Sequence, residues 1–201
     1  MRQWLLCAVL LFSACTTLPV QEATLPPASV PHPLGYTLPT DAPQLYDNEV
    51  VHDVVQLAPT PELGTTQPAN AYRARLGGEP AALVLEAIAP DGYSGKIKLL
   101  IAIQANGEIA GVRVVTHSET PGLGDYIDIA KNPWIKQFEH ATLGSNDAAW
   151  KVKKDGGRFD YMSGATITPR AVVKAVHKAL RYYEQHGREI FSRPTMQQEQ
   201  P

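Results

Sequence analysis

Two rhythms of apolar residues run through the middle and end of this chain. Ala81 to Ala89 is an apolar run broken only by Glu86 and closed by Pro90-Asp91-Gly92, which reads as a strand ending in a turn. Lys96-Ile97-Lys98-Leu99 then begins an alternation that Leu100 to Ile103 continues. Asn106-Gly107 follows, a strong hairpin signal. Glu108 to Thr116, with Ile109, Val112 and Val114, supplies the partner strand. Successive strands without intervening helices predict an antiparallel meander. Trp134 to His140 is expected as a short helix or turn carrying Trp134, Ile135 and Phe138. The rhythm then changes to helical spacing, with Ala171, Val172, Ala175, Val176, Ala179, Leu180 and Tyr183 on one stripe and Lys174, Lys178 and Arg181 off it. Thr168-Pro169 predicts the N-cap and first position of that helix, and Gly187 predicts its end. The expected fold class is therefore α+β: a single domain with a twisted antiparallel sheet and flanking helices.

Upstream the pattern breaks down into punctuation. Pro19 to Pro43 holds seven of the chain's 17 prolines. Proline supports neither a helix interior nor a sheet ladder, so an extended spacer is expected. Tyr46, Val50, Val51, Val54 and Val55 allow a short helix before Asn70. At the very start, Arg2 precedes the apolar run Trp4 to Ala14, the layout of an export signal. Leu11-Phe12-Ser13-Ala14-Cys15 resembles a bacterial lipobox, so a lipid on Cys15 and a single-pass anchor both stand as modes of attachment. The expected organisation is a membrane anchor over 1–20, a Pro-rich linker and connecting segment over 21–70, the folded domain over 71–187, and a loose polar tail over 188–201.

Composition narrows the chemistry. The chain has 201 residues, 44% of them hydrophobic, and a formal net charge of −2. No basic run exists, so nucleic acid is not an expected partner. Both cysteines, Cys7 and Cys15, lie in the N-terminal apolar stretch, which excludes a disulfide framework or thiolate metal site in the domain. The six histidines show no metal-ligand spacing.

The densest chemical signal precedes the last helix: Asp160-Tyr161-Met162-Ser163-Gly164-Ala165-Thr166-Ile167-Thr168. A helix N-terminus carries unpaired N–H groups and partial positive charge, which suits an anion such as phosphate. Gly164 and Ala165 let a ligand approach the backbone, and Thr166 offers a hydroxyl there. The same small residues also suit an ordinary capped helix. Lys153 and Lys154 could pair with a phosphate. Trp134, Trp150 and Tyr161 could stack on an aromatic ligand. Glu119 and Asp125 flank a glycine-rich loop, with no nucleophile to make them a catalytic pair.

Asp160-x-x-Ser163-Gly164-Ala165-Thr166 resembles the flavinylation motif of the FMN-binding domain family. Ala89 to Gly95, Glu119 to Asp125, Val152 to Gly157 and Ser163 to Val173 together resemble the G subunits of the Rnf/Rsx electron-transport complexes, in the same order. The resemblance implies FMN held covalently by a phosphoester to Thr166 and installed by a flavin transferase, with Asp160, Ser163, Gly164, Ala165 and Thr168 as motif neighbours. It implies an electron relay on the periplasmic side of the inner membrane. Its partners would be the other membrane subunits of a complex coupling electron transfer to ion translocation. A stand-alone or quinone-reductase-type extracytoplasmic FMN carrier, and a non-redox lipoprotein binding module, are the alternatives.

Overall fold

The computed structural model describes residues 50–144 and 147–194. The expected anchor, the Pro-rich linker up to residue 49 and residues 195–201 of the expected tail lie outside them. Five strands, β1 (Val50–Leu57), β2 (Ala69–Leu76), β3 (Glu79–Ala89), β4 (Ile97–Gln104) and β5 (Ile109–Thr116), form one antiparallel sheet in sequence order. One long helix, α1 (Ile167–Ser192), packs on it. The expected flanking helices reduce, among the described residues, to this α-helix and short 3-10 segments such as Pro133–Phe138.

Alternation explains the sheet's buried face. Leu83, Leu85, Ala87 and Ala89 stand opposite Ile103, Ile101, Leu99 and Ile97, and all eight are buried. Ile109 and Val112 are three apart, which regular pleating would put on opposite faces. A bulge resolves this: Ile103 pairs with Ile109 and Ile101 with Val112, so Ala110 is the extra residue and both apolar side chains are buried. The hairpin before β5 turns at Gly107, whose φ is +84° and whose N–H donates to the Gln104 carbonyl at 2.9 Å. Against this face α1 buries Val172, Val173, Val176, Ala179 and Leu180. Truncating any one large side chain of such a core to alanine costs about 2–5 kcal/mol.

Three expectations are corrected. First, the sheet begins at Val50, well before residue 71; Val50, Val51, Val54 and Val55 lie on a strand, and the helical element described before Asn70 is the 3-10 turn Pro61–Leu63. Asp53 shares a strand face with Val55 and Leu57, and this acidic residue on the core side hid the strand's alternation. Arg73, directly across the register and 1% exposed, clamps Asp53 through two N–H···O bonds of 2.6 Å. Second, α1 continues past Gly187 to Ser192, and Ile190 and Phe191 are buried, so the polar tail starts later than residue 188. The reason is again Arg73, whose Nη1 donates to the carbonyls of Ile190 at 2.9 Å and Arg193 at 2.5 Å. A helix's last carbonyls lack intrahelical donors, and a buried guanidinium supplies them. Third, the N-cap is Thr166, not Thr168, which lies within the first turn.

Candidate functional site

The segment before α1 is a tight turn pinned at both ends. The Ala165 N–H donates to the Met162 carbonyl at 3.1 Å, and Gly164 has φ +86°. Positive φ at the third position of a four-residue turn favours glycine. Met162 and Ala165 pack on the hydrophobic core, whereas Ser163 and Gly164 project into solvent. A Cβ at Gly164 would meet nothing within 4 Å, so there is open space over the turn. Upstream, Trp134 Nε1 donates to the Asp160 carbonyl at 2.8 Å, and the Asp160 N–H donates to Gln137 Oε1 at 2.7 Å. The Met162 N–H donates to the Tyr126 hydroxyl at 3.3 Å. Burial pushes the Tyr126 phenol up to about 12, partly opposed by that N–H.

The two candidate hydroxyls differ in their commitments. Thr166 is 9% exposed, and its side chain caps no N–H of the helix. Thr168 is 1% exposed, and its hydroxyl donates to Glu119 Oε2. The same carboxylate accepts the Ser94 N–H at 2.9 Å and the Tyr93 N–H at 3.3 Å. The glycine-rich loop after β5 is closed by the Thr120 carbonyl, which takes the N–H groups of Leu123 at 3.1 Å and Gly124 at 2.9 Å. Asp125 accepts the Gly122 N–H at 2.8 Å, so Glu119 and Asp125 serve separate hydrogen bonds.

Ion pairs tie further loops to this end of α1. Arg170 makes two 2.6 Å bonds to Asp155, and Lys174 makes one of 2.6 Å to Asp91. The Arg170 hydrogen bond holds the Asp155 carboxyl below its ordinary value, and the Lys174 bond does the same for Asp91. Lys153 pairs with Asp160 at 2.5 Å, and both side chains are largely exposed. Of the aromatic candidates, Trp134 is buried edge-on between Tyr126 and Phe138, and Trp150 is buried and stacked on His177. Tyr161 remains exposed. Tyr93, Leu123, Tyr161 and Ile167 are four of the five large apolar side chains exposed among the described residues. Tyr93, Leu123 and Tyr161 lie on the loops that meet at this helix end, and Ile167 is the first residue of the helix. A cavity of about 290 Å³ between Asn106, Gly107 and Tyr183 contains none of the motif residues.

Residues 92–181 match the FMN-binding domain family. The chain is 52% identical over 162 residues to the G subunit of the ion-translocating oxidoreductase complex of Pseudomonas aeruginosa, covering 80% of this chain and 68% of that protein. The corresponding protein of Shewanella baltica is 51% identical over 152 residues, covering 75% of this chain and 72% of that one. That of Vibrio cholerae is 46% identical over 153 residues, covering 76% and 73%. The chain belongs to this family of G subunits. Its fold is also that of Shewanella oneidensis NqrC, with a TM-score of 0.52 at 17% identity over 72% of this chain and 85% of the NqrC chain. The matched FMN-binding domain runs from the Gly92 turn through most of α1, so every loop converging on the turn before that helix lies inside it.

The structure places Asp160, Ser163, Gly164, Ala165, Thr166 and Thr168 along the turn and first helical turn of α1, and brings Glu119 and Tyr126 to them. The sequence offered Glu119 as half of a carboxylate pair and as the start of a segment shared with the G subunits, and gave no sign of a role for Tyr126. Glu119 stands immediately before the Thr-Pro-Gly turn, yet nothing local announces that it is 3% exposed and turned back on another loop.

Proposed function

We propose that this chain is the FMN-carrying electron-relay subunit of an ion-translocating oxidoreductase complex, with the flavin phosphate esterified to Thr166. The observation that carries the reading is the contrast between two hydroxyls at one helix N-terminus. Thr168 is engaged by Glu119, whereas Thr166 caps nothing and adjoins an open, solvent-facing turn. The first turn of α1 leaves the N–H groups of Ile167 and Thr168 without helical carbonyl partners, in a setting favourable to a phosphate.

The residues present fit the group. Thr166 Oγ1 would take the phosphoryl link, Gly164 leaves room for it, and the exposed Tyr93, Leu123, Tyr161 and Ile167 offer apolar surface to a planar ring. Bound FMN supplies one- and two-electron redox chemistry. The protein's own part is positional. Tyr126 and Trp134 hold the 160–162 backbone, Arg170 and Asp155 fix the neighbouring loop, and Glu119 holds the Gly92–Gly95 loop. A phosphoester made by a flavin transferase keeps the cofactor attached outside the cytoplasm.

The names of the relatives support partners within a multi-subunit complex. Anchoring to the inner membrane, with the domain on the periplasmic side, is inferred from the N-terminal apolar run. Cys15→Ser should block processing if the anchor is a lipid; unchanged processing and membrane retention would favour a single-pass helix. The cofactor assignment is tested by co-expressing the exported protein with a flavin transferase and reading flavin fluorescence on a denaturing gel. Wild type should fluoresce and Thr166→Ala should not. A fluorescent Thr166→Ala band would refute the site.

A further inference from the structure

The buried carboxylate of Glu119 links two loops outside the attachment motif to the first turn of α1. We infer that Glu119 is a positioning residue for the flavin site. It registers the Gly92–Gly95 and Glu119–Gly124 loops against the first turn of α1. By engaging Thr168, it leaves Thr166 as the hydroxyl open to modification. This inference rests on the function proposed above.

The geometry is specific. Glu119 is 3% exposed and accepts three donors: Oε1 takes the Ser94 N–H at 2.9 Å, and Oε2 takes the Tyr93 N–H at 3.3 Å and the Thr168 hydroxyl. Hydrogen bonds to an ionised acceptor are about twice as strong as neutral ones, and a carboxylate is well placed at a helix N-terminus. The backbone is cut to fit it. A Cβ at Gly92 would lie 2.8 Å from Glu119 Oε1, and one at Gly124 would lie 2.9 Å from both Glu119 Oε2 and Thr168 Oγ1. The Glu119 N–H, donating to His117 Nδ1 at 3.1 Å, fixes the start of its loop.

Each tethered segment also presents an exposed apolar side chain. Tyr93 is itself a donor to Glu119, Leu123 adjoins Gly124, and Ile167 adjoins Thr168. The carboxylate therefore sets the spacing of the rim around the attachment turn from behind. A purely structural carboxylate would hold the fold without altering what the rim contacts.

The test uses Glu119→Gln and Thr168→Val. Glutamine keeps the size and can still accept from Ser94 at the Oε1 position. Its amide NH2 at the Oε2 position cannot accept from Tyr93. Valine removes only the hydroxyl of Thr168. In the unloaded protein, amide hydrogen exchange at Tyr93 should accelerate about tenfold or more in Glu119→Gln, while Ser94 and the strands keep their protection. After loading by a flavin transferase, Glu119→Gln should carry flavin more slowly, with altered visible circular dichroism and a shifted midpoint potential. Thr168→Val should change in the same direction by less, with its flavin still on Thr166. Loading, spectrum and potential equal to wild type in both variants would overturn the inference. If Glu119→Gln does not fold, a Thr168→Val protein indistinguishable from wild type overturns it alone. A wild-type protein that takes no flavin would bring down the proposed function and this inference together. A loaded wild type with unaltered variants would bring down only this one.

Discussion

Gly124 and Gly122 sit two residues apart in one loop and should fail for different reasons when changed to alanine. Gly124 has φ −86°, which any residue adopts, so its replacement costs nothing in backbone strain. Its Cβ would instead stand 2.9 Å from Glu119 Cβ, Glu119 Oε2 and Thr168 Oγ1, closer than atoms in ordinary contact. Glu119 and Thr168 are 3% and 1% exposed, so neither has free space into which to retreat. Overpacking of this kind costs about 1–3 kcal/mol. Separating the hydroxyl from the carboxylate adds roughly 1.5 kcal/mol or more. A loss of about 2.5–4.5 kcal/mol corresponds to a fall in Tm of roughly 5–18 °C in a domain of this size. Gly122 has φ +75° and open space around its Cβ position. Gly122→Ala should therefore cost only the left-handed backbone penalty, about 1–2 kcal/mol, without touching Thr168. The assay is thermal melting of the unloaded proteins by circular dichroism, followed by flavin loading of each. Gly124→Ala should melt lower and load poorly, and Gly122→Ala should load nearly as wild type. Equal stability and loading for Gly124→Ala and wild type would refute the packing argument around Glu119.

Two further outcomes follow from groups away from that loop. Arg73→Met leaves Asp53 and the last carbonyls of α1 without their buried donor; removing one partner of a buried pair costs about 3–5 kcal/mol, which denaturant unfolding should register together with fraying of residues 188–192. Tyr126 has its phenol pushed up to about 12, so the folded state holds that proton while an unfolded tyrosine releases it near 10. The stability this contributes is fully present below about pH 10 and is lost as pH rises towards about 12. Tyr126→Phe should accordingly lose less stability between those pH values than wild type, and ultraviolet titration should lack one phenolate that appears near pH 12.

The parts of the fold legible in the sequence were those governed by local pattern. β3, β4 and β5 followed from apolar runs bounded by Pro90-Asp91-Gly92 and Asn106-Gly107, and α1 from the stripe Ala171 to Tyr183. What stayed hidden depends on distant partners. β1 carries an acidic residue on its core face, which looks wrong until Arg73 is seen across the register. The helix outran Gly187 because that same guanidinium completes its final turn from 117 residues away in sequence. At the site, the cluster of Asp160 to Thr168 was readable as a motif. The burial of the Thr168 hydroxyl against a carboxylate was not, because its partner Glu119 lies 49 residues upstream. Thr-Pro at 168–169 looked like a cap because local chemistry favours it, and a buried long-range hydrogen bond overrides that preference.

The most direct measurement is peptide mass mapping of the mature exported protein produced alongside a flavin transferase. The account predicts one modified peptide, spanning Ser163 to Thr168, with the mass of an FMN phosphoester and fragmentation that assigns it to Thr166. An unmodified peptide, or the flavin on any other residue, would contradict it.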